Sequence, residues 1–467
     1  MKTKRHTKIV LTLAMLTGLL FADALPAAAL EVNVSGQMVF QWGFRDGYDN
    51  YGDYFDNEAY DTSSDHFFAR QRARIQTEFI ASENLRGVLQ LQFGTTNWGD
   101  SGTGGQLDTT TETGKVRRAY IDWNVADTTL NVKMGLQEIA LPSAVAGNPI
   151  LDSHVAAIAV GAGLTDEITL TGFWARPYHD TNLSGWHEYK NNTMDMFGLV
   201  ADFNYESVVF QPYIMYSRIG DWAGFNTVGS GYITHDNYSD YYLAGLALQV
   251  KPVERLTLGL DALYNYVKNQ GDPYHDPITG RDEKYFDKTS AWFVAFGADY
   301  ALDFGTLGMV AWYATGDDYD DFNRDKREFG TIHSISTNVS GFAPTRLAFQ
   351  GAYAIGDDGL LSTTGAGTWG VGVHLKDFSF VEDLSHTVRL VYFQGTDDKK
   401  FADNYISITT KDKAFEIDFD TTYQIAKGFK AIAEMAYVRL DMEDKVADIY
   451  EPRNHLWNVQ LTLEYSF

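Results

Sequence analysis

Apolar and polar side chains alternate along much of this chain, and this alternation constrains the fold more than any other feature of the sequence. In the C-terminal run one face carries Trp457, Val459, Leu461, Leu463, Tyr465 and Phe467, and the other carries Asn458, Gln460, Thr462, Glu464 and Ser466. The runs 415–424 and 31–44 show the same pattern. Because successive side chains of a strand point to opposite faces, each run predicts a β-strand with one apolar and one polar face.

A soluble β-sandwich would alternate in the same way, but two features favour a membrane barrel. Aromatic side chains lie near the ends of the apolar faces, as in the girdles of membrane barrels: Trp42 and Phe44, Tyr264 and Tyr266, Trp292 and Tyr300, Trp457 and Phe467. Short turns such as 82–84 and 126–127 alternate with long polar connections such as 46–66 and 95–114, which is typical of outer-membrane barrels. The sequence therefore predicts an all-β fold, a transmembrane antiparallel up-and-down β-barrel.

The number of strands follows less directly. Nineteen runs qualify as strands, but bacterial single-chain barrels have an even number. The weakest run, 345–356, lies in a long Gly- and Asp-rich region, and eighteen strands remain if it belongs to a loop. Sixteen is the alternative if 155–164 merges with its neighbouring loop. We predict eighteen.

The first 29 residues have the pattern of a cleaved secretory signal. A basic start from Lys2 to Lys8 precedes the apolar run 9–21, and Ala27–Ala29 offers a small-residue cleavage site. The apolar run is too short to cross a bilayer as a helix. We therefore expect a signal peptide over 1–29, a barrel over 30–467, and a location in the bacterial outer membrane.

Charge and composition argue against several classes of function. Without the signal, Lys plus Arg falls from 37 to 33 and Asp plus Glu from 62 to 61, a net charge of about −28, so we expect no nucleic-acid binding. There is no cysteine, and hence no thiolate metal site or thiol nucleophile. Gly365, Gly367 and Gly370 match G-x-G-x-x-G, but the residues that follow alternate as a strand, whereas a dinucleotide site needs a helix. We expect neither an enzyme nor a cofactor.

Three arginines, Arg70, Arg72 and Arg74, share one face of a strand whose other face is apolar. An arginine facing lipid at mid-membrane costs roughly 2–4 kcal/mol, so the row would cost on the order of 6–12 kcal/mol there. The row must therefore face the lumen, where it spans about 13 Å of strand. Two interpretations overlap: the arginines neutralise inward carboxylates, or they form a cationic rail along the permeation path. By the same alternation, Arg118 and Lys133 also point into the lumen.

Several segments resemble trimeric bacterial porins. The run 73–93 looks like the hairpin between their second and third strands, and Arg118–Asp122 followed by Leu130–Glu138 looks like their fourth and fifth strands. Phe467 is similar to the C-terminal Phe that the barrel-assembly machinery reads. As a whole the chain resembles the homotrimeric outer-membrane porins of sulfate-reducing bacteria, most closely over its first 140 residues. The resemblance implies a homotrimer in outer-membrane lipid.

The resemblance also implies that the loop after the fifth strand, about 139–156, folds inward and narrows the pore. This loop contains Pro142, Asn148, Pro149, Asp152 and His154. General porins place acidic residues here, opposite a basic wall. In this sequence Asp152 is acidic, with Glu138 at the edge, and most of the rest is small or apolar. We therefore expect a weaker transverse field than in general porins and no strong cation selectivity.

Acidic loops raise the question of calcium. The loop 46–65 contains seven carboxylates and no Lys or Arg, and Asp317, Asp318, Asp320 and Asp321 form a second group. Oxygen-rich loops can bind Ca²⁺, but no segment matches the twelve-residue calcium loop. Solvated surface loops are the preferred interpretation, with loop-bound Ca²⁺ as the alternative.

Together these features predict a passive channel for small hydrophilic solutes and ions, with weak anion preference. Arg70, Arg72, Arg74, Arg118 and Lys133 would line its pore, with Glu138 and Asp152 at the constriction. A substrate-specific channel for a sugar or a small carboxylate is the alternative. A barrel enzyme and an adhesive barrel are the remaining alternatives. No nucleophile–base pair is visible for the first, and the long loops are the only argument for the second.

Overall fold

The structure, a computed structural model, describes residues 30–46, 66–102, 105–107, 114–179, 193–220, 238–269, 274–275, 282–283, 288–316, 341–349, 367–399, 409–441 and 455–467. The predicted signal peptide, the acidic loop 47–65 and the group Asp317 to Asp321 lie outside these residues. No helix in the described part of the chain is long and apolar enough to cross a membrane.

The described chain is built from β-strands. They are β1 (Glu31–Asp46), β2 (His66–Ser82), β3 (Leu85–Asn97), β4 (Gly114–Asn124), β5 (Leu130–Ala140), β6 (Asp152–Gly163), β7 (Ile168–His179), β8 (Thr193–Tyr205), β9 (Val208–Gly220), β10 (Tyr238–Val253), β11 (Leu256–Asn269), β12 (Tyr274–His275), β13 (Asp282–Glu283), β14 (Lys288–Leu302), β15 (Gly305–Ala314), β16 (Thr368–Val381), β17 (Leu384–Gly395), β18 (Lys413–Ala426), β19 (Phe429–Asp441) and β20 (His455–Ser466).

Eighteen of these strands form one closed antiparallel barrel, and β12 and β13 form a separate two-stranded hairpin. Each barrel strand pairs with its neighbours in sequence, and β1 closes the ring by pairing with β20 as well as β2, with Met38 opposite Tyr465. In addition, the Gly36 N–H donates a hydrogen bond to the backbone carbonyl of Phe467, at 2.9 Å. Closure leaves no free sheet edge. The predicted up-and-down barrel of eighteen strands is confirmed.

Alternation places the apolar face of each strand outside. In β18, Phe415, Ile417 and Phe419 are exposed on the outward face, whereas Glu416 and Asp418 are fully buried on the inward face. The same division between exposed apolar and inward polar side chains holds in β20 for Val459 and Gln460. The polar faces therefore meet inside a cylinder that, at this strand number, is wide enough for an aqueous lumen.

The structure shows whether the run 345–356 is a strand and whether the barrel has sixteen strands. Residues 345–349, the described start of the run 345–356, form no strand and lie inside the barrel, as expected if this run belongs to a loop. The run 155–164 belongs to β6, which pairs with both β5 and β7. The sixteen-strand alternative is therefore wrong.

Two segments fold into the lumen and form most of its packed core. The first inner segment, 141–151, contacts the inward faces of β9 and β11, where Asn148 donates to Tyr213 at 2.9 Å and Ser143 to Asp261 at 2.6 Å. The second inner segment, 341–349, packs Phe342 against Phe293 and Trp312, and Phe349 against Phe393: ring centroids lie 5.1–5.7 Å apart.

The two inner segments also bind each other. The Gly341 N–H donates to the Asn148 carbonyl at 2.8 Å, and the Ala343 N–H donates to the Ala146 carbonyl at 2.7 Å. Their wall contacts run from β9 round to β19. The inward side chains that stay half-buried, and so border the lumen that remains, lie on β2, β4 and β5, for example Arg72, Arg118 and Lys133.

Closure of the ring by β1 and β20 can be tested at a glycine. A Cβ on Gly43 would lie 2.3 Å from the Val459 carbonyl oxygen, which is backbone and cannot rotate away. We expect Gly43→Val to lower the free energy of unfolding by about 1–3 kcal/mol, the usual cost of overpacking, as measured by urea titration in phospholipid vesicles. Gly87, whose Cβ would meet nothing within 4 Å, is the matched control. Equal effects of Gly43→Val and Gly87→Val would contradict this account.

Candidate functional site

A basic wall lines the open side of the lumen. It is formed by inward residues of β2, β4 and β5: Arg70, Arg72, Arg74, Lys115, Arg117, Arg118 and Lys133. On β2 the inward direction is set by pairing with β1, in which Gln41 lies opposite Arg70 and Val39 opposite Arg72. Gln41 and Val39 are almost completely buried, so the arginine row faces inward as the alternation predicts.

The three arginines of β2 are not equivalent. Arg70 is 6% exposed, its Nε donates to Gln41 at 2.6 Å, and its guanidinium lies 5.1 Å from the Phe68 ring centroid. Arg72 and Arg74 are half-buried, and Arg74 Nε donates to Gln92 at 2.9 Å. A solute in the lumen can therefore approach Arg72 and Arg74 more readily than Arg70.

The alternation rule fails at Arg117, and the failure adds a charge to the wall. Gln90 pairs with Arg118 but Leu91 pairs with Val116, so β4 has one extra residue, Arg117, in a β-bulge. Both arginines consequently turn inward, and Arg117 donates to Gln92 at 3.1 Å. Strict alternation would have placed Arg117 in lipid. Two consecutive arginines in a membrane strand were the available signal, since one of them would otherwise carry that cost of roughly 2–4 kcal/mol.

The end of the β5–β6 hairpin leaves the barrel wall. Pairing of β4 with β5 stops at Ala119 and Leu136, and pairing of β6 with β7 begins at Ala157. Between them β5 and β6 continue to pair with each other as far as Ala140 and Asp152. We call residues 137–140 and 152–156 the inner hairpin. It leads directly into the first inner segment, which lies in the lumen where the constriction was expected.

The inner hairpin places Glu138 and His154 against the basic wall. The Arg118 Nε–H donates to His154 Nε2 at 2.9 Å, and its Nη2 forms an ion pair with Glu138. Because an arginine N–H can only donate, Nε2 of His154 accepts and the proton of this neutral ring lies on Nδ1. Arg118 therefore connects the basic wall to the inner hairpin.

The remaining predicted pore residues occupy different positions. Lys133 lies 5.3 Å from the Tyr120 ring centroid on the inward face. Asp152 is exposed, and a Cβ on Gly341 would lie 2.6 Å from its carboxylate, so it packs closely against the second inner segment. Gln137, which alternation directs to the lumen, is instead 1% exposed and donates to the carbonyls of Lys133 and Ala157.

An acidic cluster on β18 and β19 anchors the second inner segment. Arg346, 3% exposed, lies 3.3 Å from Asp420 and 3.5 Å from Glu434. Glu416 accepts the N–H groups of Arg346, Leu347 and Ala348 at 3.1, 2.6 and 3.1 Å. Sequence reasoning missed this anchor. These carboxylates hold protein groups of the inner segment in place, in contrast to the basic wall.

Metal binding finds no support in the described ranges, in which no group of three or more His, Cys, Asp or Glu residues could hold an ion. The two acidic loops for which calcium binding was the alternative interpretation lie outside those ranges, apart from Asp46.

Comparisons with known proteins were made by sequence and by structure. No model of a known protein family matches the sequence, and no curated protein matches it. Several solved outer-membrane porins share the fold. OpdK of Pseudomonas aeruginosa, crystallised with vanillate, is 13% identical with a TM-score of 0.52, over 93% of this chain and 98% of that one.

Two further solved structures share the same fold. A BenF-like porin of Pseudomonas fluorescens Pf-5 is 13% identical with a TM-score of 0.53, over 94% of this chain and 98% of that one. OccAB3 of Acinetobacter baumannii is 11% identical with a TM-score of 0.52, over 93% of this chain and 99% of that one. At these identities the likeness extends to the fold, an eighteen-stranded barrel, and the solute must be argued from the chain's own residues.

Proposed function

We propose that this chain forms a bacterial outer-membrane channel that admits small organic anions, carboxylates above all, along the basic wall. The pair Arg74 and Arg117 carries the proposal. Both guanidinium groups donate to the neutral amide of Gln92, and neither pairs with a carboxylate among the described residues. A guanidinium can bind a carboxylate through two parallel hydrogen bonds, so this pair offers a passing anion a binding site.

The apolar outer face of the barrel supports the proposal that the protein lies in a membrane. Exposed large apolar side chains occur on the outward faces of strands all round the ring, for example Ile158, Ile214, Val373 and Met435. Such a band suits the hydrocarbon layer, and charges at inward positions suit a water-filled interior. The outer-membrane location and the absence of enzymatic activity both follow from this proposal.

The sequence analysis predicted unselective diffusion and gave a substrate-specific channel as the alternative. We now prefer that alternative. The inner segments occupy the lumen along β9 to β19, so a solute must pass beside the basic wall. The barrel also shares its fold with OpdK, whose crystal structure contains vanillate, a small aromatic carboxylate. A sugar would need a lumenal track of aromatic rings, and the wall beside the opening is arginine-rich.

The test compares two solutes of nearly equal size and different charge. In planar bilayers with KCl, benzoate is expected to reduce the single-channel current saturably, with half-block at about 1–10 mM, which corresponds to a weak site of about −3 to −4 kcal/mol. Benzamide, which lacks the charge, is expected to have no effect. Currents that respond to neither solute, or equally to both, would instead favour unselective diffusion.

The carboxylate at the constriction should oppose anion entry. Replacing Glu138 by Gln leaves the charge of Arg118 without its anionic partner, and we expect the chloride-to-potassium permeability ratio to rise about twofold, consistent with removal of one partly screened charge. Thermal stability should change little, because an ion pair this exposed is worth about 0–1 kcal/mol. Reversal potentials in a KCl gradient measure the ratio. Glu254→Gln, in an exposed short turn, is the matched control.

Three expectations stay predictions: the signal over 1–29, homotrimeric assembly, and recognition of Phe467 by the barrel-assembly machinery. Loop-bound Ca²⁺ stays the alternative to solvated acidic loops. Native mass spectrometry of the protein in detergent would establish the number of subunits.

A further inference from the structure

A second set of charges lies on the outside of the barrel, at one height. We call it the outer charged row: Arg176, Asp195, Arg218, Asp240 and Lys268, one residue on each strand from β7 to β11. Asp195 lies directly opposite Arg218, Arg218 opposite Asp240, and Asp240 opposite Lys268. Each member lies within four residues of the strand end that leads into a long connection. The row therefore follows the rim that carries the long connections.

The buried neighbours of the row show that it faces outward. Ala175, Met194, Ser217, Tyr241 and Val267 are each next in sequence to a row residue, and each is at most 2% exposed on the inward face. Because adjacent residues of a strand point to opposite sides, the row points away from the lumen and takes no part in the proposed solute path.

An aromatic row lies directly below the outer charged row. It contains Trp174, Phe197, Tyr216, Tyr242 and Tyr266, each two residues further from the rim than its charged neighbour. The polar tips of two rings point back to the charges: Trp174 donates to Asp195 at 2.9 Å and Tyr216 donates to Asp240 at 2.6 Å. Rings in this position are typical of the level at which lipid headgroups meet acyl chains.

The cationic groups of the row are more exposed than its carboxylates. Arg176 and Arg218 are 40% and 53% exposed, whereas Asp195 and Asp240 are 25% and 8% exposed. Both carboxylates accept from an arginine and from an aromatic side chain. Lys268, also exposed, adds a third cation. The row thus presents positive charge outward and holds its negative charge beneath.

A cavity of about 400 Å³ opens on this surface and is lined by residues of β8, β9 and β10. Arg218 lies at its side, 4.2 Å from the Tyr238 ring centroid, and Phe197 and Tyr216 form its apolar floor. The floor continues into the exposed apolar side chains of Leu199 and Ile214. A ligand that fits this site has an anionic head at the level of the arginines and hydrocarbon below it.

We propose that the outer charged row binds the phosphate headgroup of an acylated, phosphate-bearing lipid of the outer leaflet, with an acyl chain against Phe197 and Ile214. Arginine and phosphate form strong charge-assisted hydrogen bonds, and the cations lie at the rim that faces the outer leaflet. This inference depends on the proposed outer-membrane location but not on which solute the channel admits.

The test uses the folded barrel in detergent and native mass spectrometry with lipid A, a bis-phosphorylated acylated disaccharide. The double variant Arg218→Gln, Lys268→Gln is expected to bind roughly tenfold less lipid A than the unaltered protein, since each basic residue near a charged lipid surface contributes appreciably. Lys251→Gln with Arg255→Gln, a pair of exposed cations at the opposite rim, is expected to bind as the unaltered protein does. Gel mobility with and without heating confirms that each variant is folded.

Other outcomes would overturn the proposal. Equal binding of lipid A from which the phosphates have been removed would show that hydrocarbon alone is recognised. Competition by millimolar inorganic phosphate would identify a free-phosphate site. A change in subunit number without loss of lipid would identify the row as a contact between copies of this chain. The benzoate block should persist in the row variant, so failure of the lipid site and failure of the channel proposal are distinguishable.

Discussion

Replacing Arg74 and Arg117 together by glutamine is expected to weaken benzoate block roughly 30-fold and to reduce anion preference. Each guanidinium is worth about 1 kcal/mol to an anion a few ångströms away in a partly aqueous lumen, and two such losses correspond to a factor of roughly 30. Both side chains converge on one amide, that of Gln92, so a single bound carboxylate would lose both at once. Half-block concentrations and reversal potentials in planar bilayers measure the effect.

The control for this experiment removes two positive charges elsewhere. Lys251 and Arg255 lie exposed at the rim with short turns, where Arg255 pairs with Asp303 at 2.8 Å. Lys251→Gln with Arg255→Gln changes the net charge equally and should leave benzoate block unaltered. If both double variants weaken block to the same extent, the net charge of the barrel governs anion entry. The basic wall would then have no special role.

Period-two alternation was sufficient to predict the strands because it reports a local property, the side of the sheet on which each residue lies. In β18 the exposed Phe415 and buried Glu416 fall where the sequence places them. In β2 the same rule correctly directed Arg72 and Arg74 inward. Strand number followed once the run from 345 was assigned to a loop.

Positions that depend on a partner strand could not be predicted in this way. Arg117 turns inward because β4 has one more residue than β3 at that point, and the two consecutive arginines are the one trace of this shift in the sequence of β4. Gln137 keeps the expected parity, yet it is buried because the inner hairpin leaves the wall beyond Leu136. Resemblance to porins, and not alternation, pointed to that inward fold.

The second inner segment was the largest omission. Leu347 and Phe349 alternate with their neighbours and so imitate a weak strand. What brings the segment into the lumen is the match between Arg346 and carboxylates about 70 to 90 positions later in the chain. From the sequence, Glu416, Asp418 and Asp420 were simply the polar face of a strand. Such long-range pairing between a loop and a wall has no local signal.

Removing Arg346, which anchors the second inner segment, is the prediction with the second large expected effect. Arg346→Met should lower the free energy of unfolding by about 3–5 kcal/mol, the cost of leaving a buried carboxylate without its cation. The side chains of Arg346 and Glu434 are each 2% exposed, so water cannot replace the lost contact. Single-channel conductance should also rise, because residues 341–349 would no longer be held against β18 and β19. Urea titration in phospholipid vesicles and planar-bilayer recordings measure the two effects.

Arg389 is the matched comparison, since it contacts Asp420 as Arg346 does, but from a more solvent-exposed position. Its Nη1 lies 2.6 Å from Asp420 with 25% of the side chain exposed, so Arg389→Met should cost about 1 kcal/mol or less, as for solvent-accessible pairs. Adding Glu434→Gln to Arg346→Met should recover part of the stability, because the amide needs no counter-charge. Equal costs for the two arginines, or no recovery in the double variant, would mean that aromatic packing of Phe342 and Phe349 holds the segment by itself.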